Sequence, residues 1–129
     1  MTFQGEWLED LEEVRVAVYR DYPPADSSDF FRIAGFSEAI QIGTSQSDYG
    51  VPLVEGDYEW VVAAGRRAGL SWVDGYVFLG QFASSPGEAT PGAVRVYRNL
   101  STRNVDIEVD FSRLPELPIP KVPPVPLRR

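Results

Sequence analysis

Apolar and polar positions alternate with a period of two through most of this chain. Val14, Val16 and Val18 alternate with Arg15 and Ala17. In residues 58–64, Tyr58, Trp60 and Val62 are read as facing one way and Glu59 the other. Val94 and Val96 alternate with Arg95 and Tyr97, and Val105, Ile107, Val109 and Phe111 alternate with Asp106, Glu108 and Asp110. Successive strand residues point to opposite faces, so each run reads as a half-buried strand with one wet face. Shorter strand candidates are residues 2–7, 31–33, 39–42 and 76–82. Residues 7–14 have the material for one helical turn, with Leu8 and Leu11 on one side. They read as a connection between the first two strands.

The breaks agree with this pattern. DYPPADSSD (21–29), GTSQSDYG (43–50), GRRAG (65–69) and SSPGEATPG (84–92) are turn or loop chemistry. Short strands at such intervals predict an all-β fold, an antiparallel β-sandwich of about seven or eight strands. It is assigned to residues 1–112.

The pattern changes after Phe111. Residues 112–129, SRLPELPIPKVPPVPLRR, hold six prolines in eighteen positions. Proline lacks a backbone donor and fixes its φ, so the stretch makes neither helix nor central strand. As polyproline II, at about 3.1 Å per residue, it reaches on the order of 50 Å. Leu114, Leu117, Ile119, Val122, Val125 and Leu127 lie between the prolines. A free spacer gains nothing from six large aliphatics. Residues 113–129 are therefore expected to be an extended arm, packed on its own domain or docked on another protein chain, with a disordered tether as the remaining alternative. PxxP frames begin at Pro115, Pro120 and Pro123, but such frames arise in any proline-rich run.

Composition narrows the chemistry. The 129 residues suffice for one domain with a real core, and no run of eighteen apolar residues is present. There is no Cys, which removes disulfides and thiolates. There is no His either, which removes the usual general base and most zinc sites. The one Lys, Lys121, lies in the arm, away from any glycine-rich loop. The net charge of −7 argues against a nucleic-acid or anionic-membrane partner, which would need a basic stripe. It is uneven: residues 1–60 carry 13 acids against 3 Arg, and residues 61–129 carry 6 acids against 9 basic residues. The N-terminus, MTFQGEW, lacks a basic segment and an apolar core of the secretory kind. Strand character already at Phe3 favours a chain whose leader has been removed.

Three constellations are candidates for function. Asp106, Glu108 and Asp110 stand about 6.5–7 Å apart along one strand face. That is the raw material of a carboxylate-dependent hydrolase, or simply a charged outer face that resists edge pairing. Arg95 or Arg103 would be their cross-strand partners. Asp48, Glu55 and Asp57 lack the spacing of a calcium loop. The aromatics are the stronger lead. Trp60 is assigned to the core, whereas Trp72 follows GLS near a hairpin end, with Tyr76 four residues on. Both are candidates for contact with a protein or for stacking on a glycan.

Leu53, Gly56 and Tyr58, followed by Glu59-Trp60-Val61-Val62-Ala63, resemble the L-x-x-G-x-Y strand entry of transthyretin-like (prealbumin-like) sandwiches. The same pattern occurs in carboxypeptidase-regulatory-like and CnaB-type modules of secreted bacterial proteins. The resemblance covers residues 2–112. The hydrolase branch of that fold depends on histidines and a C-terminal Tyr-Arg-Gly-Ser motif, and this chain has no His and ends VPLRR. CnaB modules often cross-link a Lys to an Asn or Asp, but the one Lys here lies outside the sandwich. What the resemblance implies is therefore a non-enzymatic, extracytoplasmic accessory or structural module without cofactor or metal. Its expected protein-contact residues are Trp72, Tyr76, Leu117, Ile119, Val122, Val125 and Leu127. The alternative expectation is a carbohydrate-binding module using the exposed aromatics.

Overall fold

A computed structural model describes residues 1–24, 31–84 and 90–117. Among them the strands are β1 (Thr2–Gln4), β2 (Leu11–Tyr19), β3 (Gly35–Phe36), β4 (Gly56–Tyr58), β5 (Trp60–Arg67), β6 (Tyr76–Gln81), β7 (Val94–Val96) and β8 (Glu108–Asp110). A single helical turn, α1 (Trp72–Gly75), precedes β6. The fold is all-β with antiparallel sheets. A four-stranded antiparallel sheet has the order β3-β2-β5-β6, and β4 pairs antiparallel with β7. β1 and β8 pair in parallel, a direction that alternation alone does not reveal. No described helix is long and apolar enough to cross a membrane.

The centre of the molecule is the β2–β5 pair, in register from Val14↔Gly65 to Tyr19↔Trp60. Both faces of this pair are apolar. One face carries Val14, Val16 and Val18 with Val61 and Ala63. They join Leu79, Tyr58, Phe3, Ile107, Val109 and Phe111 in the main core. The opposite face carries Ala17, Tyr19, Trp60, Val62 and Phe78, a second and aromatic cluster. This explains why WVVAA in β5 is continuously apolar, as in a strand covered on both sides. Trp60, Val62 and Ala63 have no solvent exposure at all.

Tyr58 and Trp60 do not share a face, contrary to the alternation reading. Both are fully buried, but Tyr58 belongs to the main core and Trp60 to the aromatic cluster. The chain bends at Glu59, whose N–H is shared between the carbonyls of Tyr19 and Arg20, 3.2 Å from each. That bend takes the chain out of the β4–β7 pair and into the central sheet, and it breaks the parity.

Two predicted strands are displaced. Pairing near residues 31–33 occurs instead at Gly35–Phe36. Residues 39–42 are not a strand, although they follow β2. There the buried Ser37 enters the ladder: its Oγ accepts the Val16 N–H at 2.8 Å, and its own N–H donates to the Val16 carbonyl at 2.8 Å. The Ile40 N–H then reaches the Val14 carbonyl at 2.8 Å. A side chain in the ladder interrupts regular pairing without leaving polar groups unsatisfied. The turn α1 also departs from the sequence reading. Ser71 caps it by accepting the Asp74 N–H at 3.2 Å, so Ser-x-x-Asp at 71–74 was the available signal.

Candidate functional site: an aromatic groove on the central sheet

The aromatic face of the sheet is not uniformly tall. In β2, Glu13, Arg15, Ala17 and Tyr19 point to this face, and Ala64 of β5 does the same. Two alanines thus lie low among large neighbours. Tyr76 of β6 and Trp72 of α1 rise on one side. Phe31, Ile33 and Phe36, before and within β3, rise on the other. The result is a groove of about 350 Å³ with a largely apolar lining. Phe31 meets Tyr76 edge-on, with ring centroids 6.4 Å apart and planes at 80°. Phe31, Ile33 and Phe36 are 44%, 40% and 53% exposed, so these apolar groups face solvent. Val73 and Leu70, on the same connection as Trp72, are exposed as well.

The charged residues of the groove are committed to each other. Glu13 accepts from Arg15 and also pairs with Arg66, whose Nη2 lies 3.0 Å from Oε1. Arg15 donates to the Ser37 carbonyl at 2.7 Å, and its guanidinium lies over the Phe36 ring, 5.5 Å from the centroid. The Arg15 hydrogen bond, with that of Arg66, holds the Glu13 carboxyl below its ordinary range despite partial burial. Burial pushes the hydroxyls of Tyr76 and Tyr19 well above the ordinary tyrosine range. The groove therefore holds an ionised carboxylate and neutral phenols. Among the described lining residues Glu13 is the one carboxylic acid, and it is held down rather than raised toward neutrality.

The Trp60 cluster adjoins the groove and shares Ala17 and Tyr19 with it. Trp60 lies 4.7 Å from Tyr19, 5.4 Å from Tyr22 and 5.9 Å from Phe78, centroid to centroid. Its Nε1 donates to Gln81 Oε1 at 2.8 Å. Tyr22, Tyr76 and Leu117 pack around this cluster. Of the residues expected to make partner contacts, Trp72 and Tyr76 meet in the groove, and Leu117 is half-buried on the adjoining cluster of its own chain. Ile119, Val122, Val125 and Leu127 lie outside the described residues. Phe31, Ile33, Phe36 and the two floor alanines were missed by sequence reasoning. The signal was present as small residues in register with large ones, but it has meaning only once the pairing Arg15↔Ala64 and Ala17↔Val62 is known.

The acidic ladder is largely exposed. Asp106 has an 83% exposed side chain, and Glu108 is exposed. Asp110 accepts from the Ser112 N–H and hydroxyl, which holds its carboxyl below the usual range. Arg95 is not its cross-strand partner. β7 pairs with β4, so Arg95 faces Asp57 and bonds it at 2.8 Å. Arg20, Asp21, Asp57, Glu59 and Arg95 line an open depression of mixed charge. Among the described residues, no group of three or more His, Cys, Asp or Glu side chains is arranged to hold a metal ion. Comparison of the chain with protein-family models, curated proteins and solved structures returns no match.

Proposed function

We propose that this chain is a non-enzymatic accessory or structural module that binds other protein chains. In this reading it is a β-sandwich of the transthyretin-like kind with a proline-rich arm, working outside the cytoplasm. The resemblance of the Leu53–Ala63 stretch to modules of secreted proteins supports the class and the location. The apolar core on one face of the central sheet and the aromatic cluster on the other support a layered β architecture.

The observation that carries the function is the groove. A site rimmed by exposed Phe31, Ile33 and Phe36, with Trp72 and Tyr76 opposite, gains most from burying apolar side chains. Burial of aromatic anchors is also where protein interfaces concentrate their binding energy.

The competing reading is a glycan ligand stacked on Trp72 and Tyr76, which do share the groove. A sugar needs several free donors and acceptors beside the stacking ring, and here Glu13 and Arg15 are already engaged with each other, Arg66 and Ser37. The protein-binding reading is therefore preferred. A peptide display library and a glycan array, each probed with the parent protein and with the Phe36→Ser and Trp72→Ala variants, separate the two. Peptides rich in aliphatic residues should be enriched and lost in both variants. Enrichment of glycans alone, or peptide binding indifferent to both substitutions, would overturn the proposal.

A further inference from the structure

We propose that the groove is the docking site of this chain's own C-terminal segment, residues 118–129. The inference rests on the reading of the groove as a surface for protein segments, and it names the segment.

The path of the chain is the first argument. Leu114 packs against the main core, whereas Leu117 packs against the Trp60 cluster on the other face of the sheet. Residues 114–117 thus carry the chain from one apolar cluster to the other. They bring the chain, at Leu117, to the aromatic face, beside the cluster that shares Ala17 and Tyr19 with the groove.

The second argument is the fit of the segment. Twelve residues of polyproline II extend about 37 Å at 3.1 Å each, ample for a groove that begins next door. Polyproline II has three residues per turn, and the apolar residues repeat at that interval. Ile119, Val122 and Val125 fall on one edge, and Pro120, Pro123 and Pro126 on the next. Two adjoining apolar edges on a stiff rod match an aromatic-walled groove, the mode by which such segments are bound elsewhere. A rod already extended also loses little conformational entropy on docking.

Charge agrees. The segment holds Lys121, Arg128 and Arg129 and no acid, which leaves a net −10 on residues 1–117. Docking within the chain is favoured over a second copy because attachment at Leu117 supplies the segment at an effective concentration in the millimolar range.

The chain has no cysteine, so Arg129→Cys creates a single attachment point for a nitroxide in the full-length protein. The expected result is paramagnetic broadening of the Phe36 amide and the Trp72 indole. It should disappear when Val122→Asp and Val125→Asp are added. Mixing isotope-labelled chains without nitroxide with unlabelled nitroxide-bearing chains should produce no broadening. Unaffected Phe36 and Trp72 signals, or broadening only in the mixed sample, would overturn docking within the chain.

A free peptide of sequence 118–129 is the second arm of the test. It should bind the double-Asp chain at the groove roughly tenfold or more tightly than the parent, whose own segment competes. If the peptide binds both chains equally at the groove, self-docking falls while the protein-binding groove stands. If neither this peptide nor any displayed peptide binds, both readings fall.

Discussion

The substitution Gly80→Ala tests how the central sheet meets the last strand. Gly80 lies in β6, and a Cβ built there would stand 2.8 Å from the carbonyl oxygen of Glu108 and 3.5 Å from Ile107 Cγ2. The nearest atom is backbone, in a strand pinned by the Phe82↔Ile107 bridge and by pairing with β1. It has no rotamer through which to yield. Overpacking of this kind costs about 1–3 kcal/mol. Alanine recovers about 0.4–1 kcal/mol by restricting the unfolded chain. The net loss should be about 1–2 kcal/mol, or roughly 3–10 °C in Tm for a domain of this size.

Two other glycines calibrate the result. At Gly65 the nearest atom, 2.5 Å away, is the Leu11 Cδ1 tip, which can turn aside, so Gly65→Ala should cost less. At Gly50 nothing lies within 4 Å, so Gly50→Ala should be neutral or slightly stabilising. Urea unfolding followed by far-ultraviolet circular dichroism and by tryptophan fluorescence gives the three free energies, compared at a common m-value. The expected order of damage is Gly80, Gly65, Gly50. If Gly80→Ala were as stable as Gly50→Ala, β8 could not approach β6 as described, and the wall that Ile107 and Val109 give the main core would be misplaced.

Further expectations follow from individual contacts. Trp60→Ala removes the centre of the aromatic cluster and should cost about 3–5 kcal/mol in urea unfolding. A double-mutant cycle of Trp60 with Tyr19 should show coupling of about 0.5–1.5 kcal/mol. Tyr58→Phe removes the bond to the Val54 carbonyl and should cost about 1–2 kcal/mol by chemical denaturation. Burial, with a smaller contribution from Asp106, pushes the Tyr49 hydroxyl up to about 12, so the folded chain keeps this proton above pH 10, where the unfolded chain begins to release it. Stability should therefore fall as pH rises from about 10 to 12. Tyrosinate absorbance should show part of the tyrosines ionising only together with the loss of near-ultraviolet circular dichroism. Asp57→Asn breaks an ion pair between two largely exposed side chains and should leave Tm unchanged within error.

Much of the strand content could be read from the sequence because alternation reports a strand with one buried face. The β8 region is the clearest case: Ile107, Val109 and Phe111 are buried and Glu108 is exposed, as the pattern requires. The pattern failed where its premise failed. β5 is covered on both sides, and the bend at Glu59 shifts parity between two buried aromatics, so Tyr58 and Trp60 were read onto one face. Ser37 fell between the predicted strands 31–33 and 39–42, and nothing local announced that its side chain stands in for backbone in the ladder. The groove was half visible. Trp72 and Tyr76 were singled out as aromatics in an exposed setting, but the opposite wall and the alanine floor depend on register between strands some fifty residues apart. Local sequence carries no record of that register.

The parallel pairing of β1 with β8 constrains how the chain can be made. Thr2 lies opposite Glu108, and Phe3 and Phe111 stack with centroids 6.1 Å apart. A polypeptide leaving the ribosome produces Phe3 early and must wait for Ile107, Val109 and Phe111 before the main core has its last wall. During that interval β2 and β5 can pair, because they are joined through earlier sequence, while the valines on one of their faces remain uncovered. Completion of the fold thus depends on the segment synthesised late, and nascent chains halted before residue 107 should be the ones that recruit chaperones.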